Sequence, residues 1–574
     1  MRAGAEYFLH PAGSSQRRYE ALRSYFTQDM PAAEVADRFG YSTASVHQMA
    51  TLLRTGRLNL FTDPKPGPKG PRKATGELRA RVLALRAAGH SVTEIAAALT
   101  AGGLPVSAQT TWQILDAEGI GRLPRRDEGR RGPPARLDVV KAAGLRGWPA
   151  GPVSLPCHHA GLLLLFPAMA ELGLPRLVRA AGYPSTRQLS SWQSVGSLLL
   201  AKCARTARIY HAGSLGDDAG LAFTLGLTAL PKATHLGTYS WRARRECNRK
   251  LLSGLVAALR PLGLATGEAG FNCDFHAIRH HGTEAVLEKH YVPRRSQRTR
   301  AVLTFFAQDH ASAEMVYANA DITKASQNRE VIAFCDHWKQ VSGSDPKMLI
   351  MDQRVTTQPI LGELDDRGVK FATLRMRSPS LVRQISALTP ADFKQITLDR
   401  SGRHNKPKVA ESAGVKLTSY PGTVRQLVVT GLGREAATII ITNDYQITTR
   451  ALIERYARRM TIEQRLAEII QAFCADALSS AVNLNVDLDV VLCVMAQALT
   501  AAFRLRLPGN YDHATPDTLQ RRFLDTPGEI ISNNGRITVK INRRAYSPVL
   551  RKADLPADTT VPWWDNRTLH WEFT

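Results

Sequence analysis

The spacing of apolar residues divides the 574-residue chain into a front part of helical period and a back part that opens on strands. Up to about Leu264, apolar positions recur every three or four residues, as on one face of a helix. In PAAEVADRFGYSTASVHQMATLL, Ala33, Val35 and Ala36 mark a short helix and Gly40 a turn. Val46, Met49 and Leu53 then mark a second helix, capped by Ser42 or Thr43. The pattern predicts a helix-turn-helix within residues 1–62, whose second helix would bring Ser42, Thr43, Ser45 and Gln48 to base edges. A plain three-helix bundle has the same pattern.

A second unit of this kind is predicted within residues 74–120. Val92, Ile95, Ala96 and Leu99 fall on one helix, and Val106, Thr110, Trp112 and Ile114 around the next, across the longer turn AGGLPVS. Between the units, DPKPGPKGPRK (63–73) is too rich in proline and glycine for regular structure. It leaves Lys65, Lys69, Arg72 and Lys73 extended and cationic, either as an arm for a minor groove or as a solvated linker. A second basic Pro/Gly joint, RLPRRDEGRRGPPAR, falls within 121–138. Two helix-turn-helix units joined by an extended arm resemble the bipartite paired-type domain at the front of many transposases.

Residues 139–265 predict an all-α domain in which packing accounts for the pattern. Cys157-His158-His159 is a weak metal hint, because adjacent residues rarely converge on one ion. After Glu268 the period changes. GFNCDFHAI, AVLTFFAQDH and EMVYANADI read as strands, QNREVIAFCDHWKQV as a helix, PKMLIMDQR as a strand, TTQPILGELDDRG as a helix and VKFATLRM as a strand. This order resembles the ribonuclease H-like topology, in which the first strand lies beside the strand that follows the first helix. Asp274 and Asp352, on those two strands, would then lie close enough to share divalent ions about 3.5–4 Å apart. Both sit among apolar residues, where an unpaired carboxylate is costly and metal ligation resolves the cost. A strand-end aspartate bonded to backbone is the plainer alternative.

Composition sharpens the partner. With 44% hydrophobic and 22% charged residues the chain is neither membrane-like nor disordered, and LLLLF at Leu162 to Phe166 is too short to span a bilayer. The excess of 75 Lys+Arg over 50 Asp+Glu, a formal +25, favours a polyanion, with nucleic acid foremost and double-stranded DNA the form that helix-turn-helix units would read. The N-terminus lacks a signal-peptide core and the seven cysteines form no Cys-x-x-Cys pair. A cytoplasmic, nucleoid-associated protein is expected.

The stretch YARRMTIEQRLAEIIQAF, Tyr456 to Phe473, predicts one amphipathic helix with Ile462, Leu466, Ile469 and Phe473 as its apolar stripe. Glu463 falls at the edge of the stripe beside Tyr456 and Arg459, and Glu468 falls nearly opposite, toward solvent. Tyr456, Arg459 and Glu463 match the Tyr-(2)-Arg-(3)-Glu part of a signature of DDE transposases of bacterial insertion sequences, which the chain resembles over most of its length. The signature's final lysine is replaced here by Ile470. The segment Asp217 to Trp241 is similar to one that precedes the catalytic domain in the same group, and TND at Thr442 to Asp444 also fits.

The resemblance implies that Asp274, Asp352 and Glu463 hold two Mg²⁺ or Mn²⁺ ions, that Tyr456 and Arg459 contact DNA phosphates, and that a homodimer pairs two terminal inverted repeats. It implies a multidomain α/β fold: a ribonuclease H-like core (266–377 and 441–505), interrupted by a β-rich insertion (378–440) and followed by a small C-terminal β domain (506–574). Within the last, Asn534-Gly535 predicts a hairpin turn, and Trp563, Trp564 and Trp571 a core. A transposase-derived DNA-binding regulator without catalysis, and a metal-dependent nuclease, are the rival functions.

Overall fold

A computed structural model describes residues 8, 11, 13–60, 76–88, 90–118, 120, 141–149, 151–206, 215–279, 287–292, 297–399, 405–432, 436–476 and 483–574. The chain forms two compact units, Met1–Arg136 and Leu137–Thr574, and its class is mixed α/β. The cationic positions Lys65, Lys69, Arg72 and Lys73 lie outside the described residues, as does the joint at 121–138 apart from its surroundings.

The first unit holds two small helical bundles, each with its own apolar cluster. The first comprises α1 (Ser14–Thr27), α2 (Ala32–Phe39) and α3 (Thr43–Arg54). Gly40 ends α2 at φ 70°, a left-handed conformation that glycine adopts without strain. Ser42 caps α3 by accepting from the Ser45 amide, and Val35, Ala36, Phe39 and Val46 close the core. The second bundle comprises α4 (Gly76–Ala87), α5 (Val92–Ala101) and α6 (Ala108–Ala117). Here Ser91 and Glu94 form a reciprocal capping box. One expectation is corrected: Trp112 is 42% exposed and Thr111, not Thr110, is buried, because α6 begins at Ala108 after its Ser107 cap and its inward face is Thr111, Ile114 and Leu115.

The second unit is built on two sheets. Its elements include β1 (Val153–Cys157), α7 (Ser191–Cys203), α8 (Arg245–Leu259), β2 (Phe271–Arg279), β3 (Lys289–Val292), β4 (Gln297–Asp309) and β5 (Met315–Asn319). Next come α9 (Glu330–Ser342), β6 (Met348–Met351), α10 (Gln358–Asp366) and β7 (Lys370–Leu374). Then β8 (Lys394–Gln395), β9 (Lys408–Lys416), β10 (Thr423–Thr430), β11 (Thr438–Thr442), α11 (Thr449–Arg458), α12 (Met460–Phe473) and α13 (Asn483–Arg504) follow. The chain closes with β12 (Gly528–Asn533), β13 (Arg536–Ile541), β14 (Thr559–Val561) and β15 (Arg567–Phe573).

The larger sheet has the order β3-β4-β2-β6-β7-β11-β10-β9-β8, with β5 also on β4. Strands β2, β6 and β7 run parallel, and the helices α9 and α10 make the crossovers that parallel neighbours need. The segment expected as a separate β-rich insertion instead extends this sheet: β11 pairs with β7 through Ile440↔Leu374 to Thr442↔Ala372, and β10 and β9 continue outward. Apolar β10 residues such as Leu427 and Val429 gain more cover from Ile440 and Leu452 than a detached hairpin would offer.

The expected C-terminal β domain is likewise not separate. Its sheet, β1-β12-β13-β15-β14, takes β1 from the region expected to be all helix. Pro156 lacks an N–H, which an edge strand tolerates. Asn534 and Gly535 have φ of 47° and 75° and form the hairpin turn between β12 and β13. Trp564 is fully buried against Phe166, with ring centroids 5.8 Å apart, and its indole N–H donates to the Thr224 carbonyl across 2.6 Å. Trp563 packs on Phe166 and Trp192, whereas Trp571 is only partly covered and lies against Phe573. One apolar core therefore runs from Cys157 through both sheets to Leu569.

Through the middle of this core passes α13. Its stretch Asn485–Arg504 is long and apolar enough to cross a membrane, and its apolar residues are buried inside the protein. It carries two carboxylates. Asp487 is held by both Arg245 bonds, at 2.9 and 2.7 Å, by Asn248 and by the Ala320 amide, and Asp489 lies 3.5 Å from the Lys202 ammonium.

Candidate active site

The residues singled out in the second unit converge because strand alternation selects them. On β2, Phe271 and Cys273 face α9, with Phe271 against Phe334 and Trp338 at 5.1 and 4.5 Å. Asn272 and Asp274 point to the opposite face, toward α12. The parallel ladder pairs Cys273 with Met351, so Asp274 and Asp352 follow at the same level of adjacent strands. Asp352 sits just past β6, where its carbonyl accepts from the Val355 amide and from the Thr373 hydroxyl.

Arg459 joins the carboxylates. Its Nη1 donates to Asp274 Oδ2 across 3.0 Å and its Nη2 to Glu463 Oε1 across 3.1 Å. The guanidinium lies 5.9 Å over the Tyr456 ring, and Tyr456 packs against Met348 and Ile350 under the sheet. Arg459 is also where the expected single helix breaks. It terminates α11 and precedes α12, with Arg459 N bonding Tyr456 O and Ile462 N bonding Arg459 O in tight three-residue steps.

Burial pushes the Asp274 carboxyl up to about 6, against the pull of Arg459 and helped by repulsion from Asp352 and Glu463. Desolvation likewise raises the Tyr456 phenol. Glu463 is 51% exposed, so the site opens to solvent on the α12 side while Asp274 forms its covered floor at 18%.

Sequence reasoning missed the polar cluster that seats α12. Asn272 Nδ2 donates to Gln308 Oε1 (2.9 Å) and reaches Thr461 Oγ1 (3.4 Å). Thr461 Oγ1 also donates to Gln308 Oε1 (3.0 Å), and Asn272 Oδ1 meets His310 Nδ1 at 3.1 Å. Burial, with Arg455 and Arg458 nearby, lowers the His310 imidazole to about 4 and keeps it neutral. The available signal was alternation: a polar residue two before Asp274 on an apolar strand shares its face.

Glu468 corrects another expectation. Placed toward solvent by helical geometry, it is only 13% exposed and accepts from Arg465 across 2.7 Å. Arg465 also bonds the Ala313 carbonyl and lies 3.8 Å from Glu314, a buried carboxylate that Arg504 approaches to 3.0 Å. The hairpin between β4 and β5 and the end of α13 cover the side of α12 that an isolated wheel leaves open. Ile470, where the signature has lysine, is partly buried.

The three carboxylates suit a hard, oxygen-seeking cation, having neither thiol nor imidazole among them. Among the described residues no three acidic, histidine or cysteine side chains are gathered tightly enough to form a metal cage. The positive charge between Asp274 and Glu463 is supplied by Arg459. The Cys157 hint resolves as packing: His159 Nδ1 bonds Asp218 Oδ2 at 3.0 Å, and Cys157 is buried.

On the helical unit, Ser42, Thr43 and Gln48 are exposed on α3, and Ser45 is partly covered. Ser42 and Ser45 bond each other (2.8 Å between hydroxyls), which commits Ser42 to capping. Compared with known proteins, the chain matches no protein-family model and no curated protein.

Proposed function

We propose that the protein is a DNA transposase of the DDE type, binding terminal inverted repeats through its helix-turn-helix unit and cutting and joining strands at Asp274, Asp352 and Glu463. The observation that carries this reading is the level placement of Asp274 and Asp352 on adjacent parallel strands, with Glu463 presented from α12 on the same face. The order β5-β4-β2-β6-β7, with helices after β5 and β6, supports a ribonuclease H-like reading of the core. The formal charge of +25 supports a nucleic-acid partner.

Asp274, Asp352 and Glu463 would hold two Mg²⁺ or Mn²⁺ ions, which when bound supply nucleophile activation and charge stabilisation for phosphodiester attack. The chain's own residues do the rest. Asp274, on β2, sets the covered floor of the site, where burial raises its carboxyl. Arg459 anchors Glu463 to that floor. Thr461 locks the first turn of α12 to β2 and β4.

The Arg459 bridge and the missing lysine at 470 favour a second reading, a non-catalytic DNA-binding regulator built on the same fold. Single replacement of Asp274, Asp352 or Glu463 by Ala separates the readings. Under the transposase reading each replacement abolishes Mg²⁺-dependent cleavage of repeat-bearing duplex while repeat binding persists. Wild-type protein that binds repeats without cutting them with any divalent ion favours the regulator, and cutting without joining favours a nuclease.

A further inference from the structure

Away from the carboxylates, the second unit has a cleft of about 450 Å³ lined by Lys141, Thr186, Arg187, Lys232, Thr234 and His235 over an apolar floor of Leu189 and Pro231. Among the described residues, no acidic residue lines it. Lys141, Arg187 and Lys232 are exposed, and none of the described carboxylates pairs with them. Three like charges around one concavity repel one another, and the arrangement gains only when an anion enters.

The backbone that carries these cations is pinned in place. The Lys141 carbonyl accepts from Thr228 Oγ1, the Ala143 amide donates to that same hydroxyl, and the Gly144 amide donates to the Gln188 carbonyl. Thr186 closes the Arg187 turn: its Oγ1 accepts from the Gln188 and Leu189 amides, and its amide donates to the Leu189 carbonyl. The Lys232 carbonyl begins the next helix by accepting from the His235 and Leu236 amides. His235 Nε2 is tied to Ser194 Oγ at 3.3 Å, and burial together with Arg242 lowers its imidazole, so it offers no charge of its own at neutral pH. Fixed main chain and free cationic ends describe a site organised before its ligand arrives.

We infer that this cleft seats a backbone phosphate of duplex DNA, giving the second unit a DNA contact independent of the helix-turn-helix unit. The occupant follows from the net charge, which favours a polyanion over a small metabolite, and from the exposed Thr234 hydroxyl beside the cations, which suits a phosphate oxygen. The inference rests on the DNA-processing reading but stands or falls by a different measurement.

The test is the salt dependence of duplex binding by the full-length protein, compared with the triple variant Lys141→Gln, Arg187→Gln, Lys232→Gln and with the charge-keeping variant Lys141→Arg, Arg187→Lys, Lys232→Arg. Loss of one phosphate contact makes the log–log slope shallower by roughly 1 in the neutral variant, with little change in the charge-keeping one. An unchanged slope overturns the inference. So does titration showing that the cleft takes inorganic phosphate, lost in the neutral variant, while the duplex slope stays put. Cleavage by wild-type protein alongside an unchanged slope would leave the transposase reading intact and remove only this site. A shallower slope with no cleavage under any divalent ion would do the reverse.

Discussion

Arg459 donates to Asp274 across 3.0 Å and so supplies the positive charge that a buried strand carboxylate otherwise lacks. Its removal leaves Asp274 facing Asp352 and Glu463 without relief. If the proposed cleavage activity is correct, Arg459→Ala is expected to move the acid limb of its pH–rate profile upward from about 6, by roughly one unit or more. Arg459→Lys, which keeps the charge, should move it less. A limb that stays where it is in Arg459→Ala would show that Asp274 does not govern it.

The same carboxylate makes a stability prediction whose sign follows from linkage. Asp274 has its folded value raised from 3.8 to about 6, so between those values the folded protein binds more protons than the unfolded chain. Stability from this group is thus present at low pH and lost as pH rises through about 6. Asp274→Asn should raise the unfolding free energy at pH 7.5 in chelator, by up to about 3 kcal/mol. The gain should fade toward pH 4.5, as followed by thermal denaturation at both pH values.

Thr461→Val tests the seat of α12. The change removes the hydroxyl that meets Asn272 and Gln308, which keep their bond to each other, so the cost is that of one lost hydrogen bond, about 0.5–1.5 kcal/mol. Under the transposase reading cleavage should slow, while repeat affinity in a mobility-shift assay stays within twofold. Thr461→Ser should restore both stability and rate, because it returns the hydroxyl without the methyl.

On the first unit, two neighbouring residues should separate cleanly. Ser42→Ala removes the α3 cap and is expected to cost about 1 kcal/mol in denaturant unfolding. Gln48→Ala touches an exposed side chain and should leave stability within about 0.5 kcal/mol. Its effect should appear in repeat binding, with preference for the native repeat over scrambled duplex reduced.

Much of the site was legible because short-range periodicity carries it. Alternation on GFNCDFHAI turns Asp274 away from the Phe334 side, and helical spacing sets Arg459 beside Glu463. What the chain hides is long-range cover. Nothing local to Glu468 reveals that Arg465, Glu314 and Arg504 close around it, and nothing near β1 announces a partner strand at Gly528. The expected division at about 265 and 505 failed for the same reason: an amphipathic pattern says that a face is buried, not which distant element buries it. The helix break at Arg459 was also invisible, since none of its neighbours is proline or glycine.

The aspartates of α13 carry a consequence for how the protein is made. Their countercharges, Arg245 and Lys202, come far earlier in the chain, Arg245 by 242 positions. A ribosome therefore releases the cations first, and the apolar Asn485–Arg504 stretch emerges after both of its neutralising partners. A fragment starting at residue 266 would emerge without them, offering insertion machinery a bilayer-length apolar segment in place of a buried core helix.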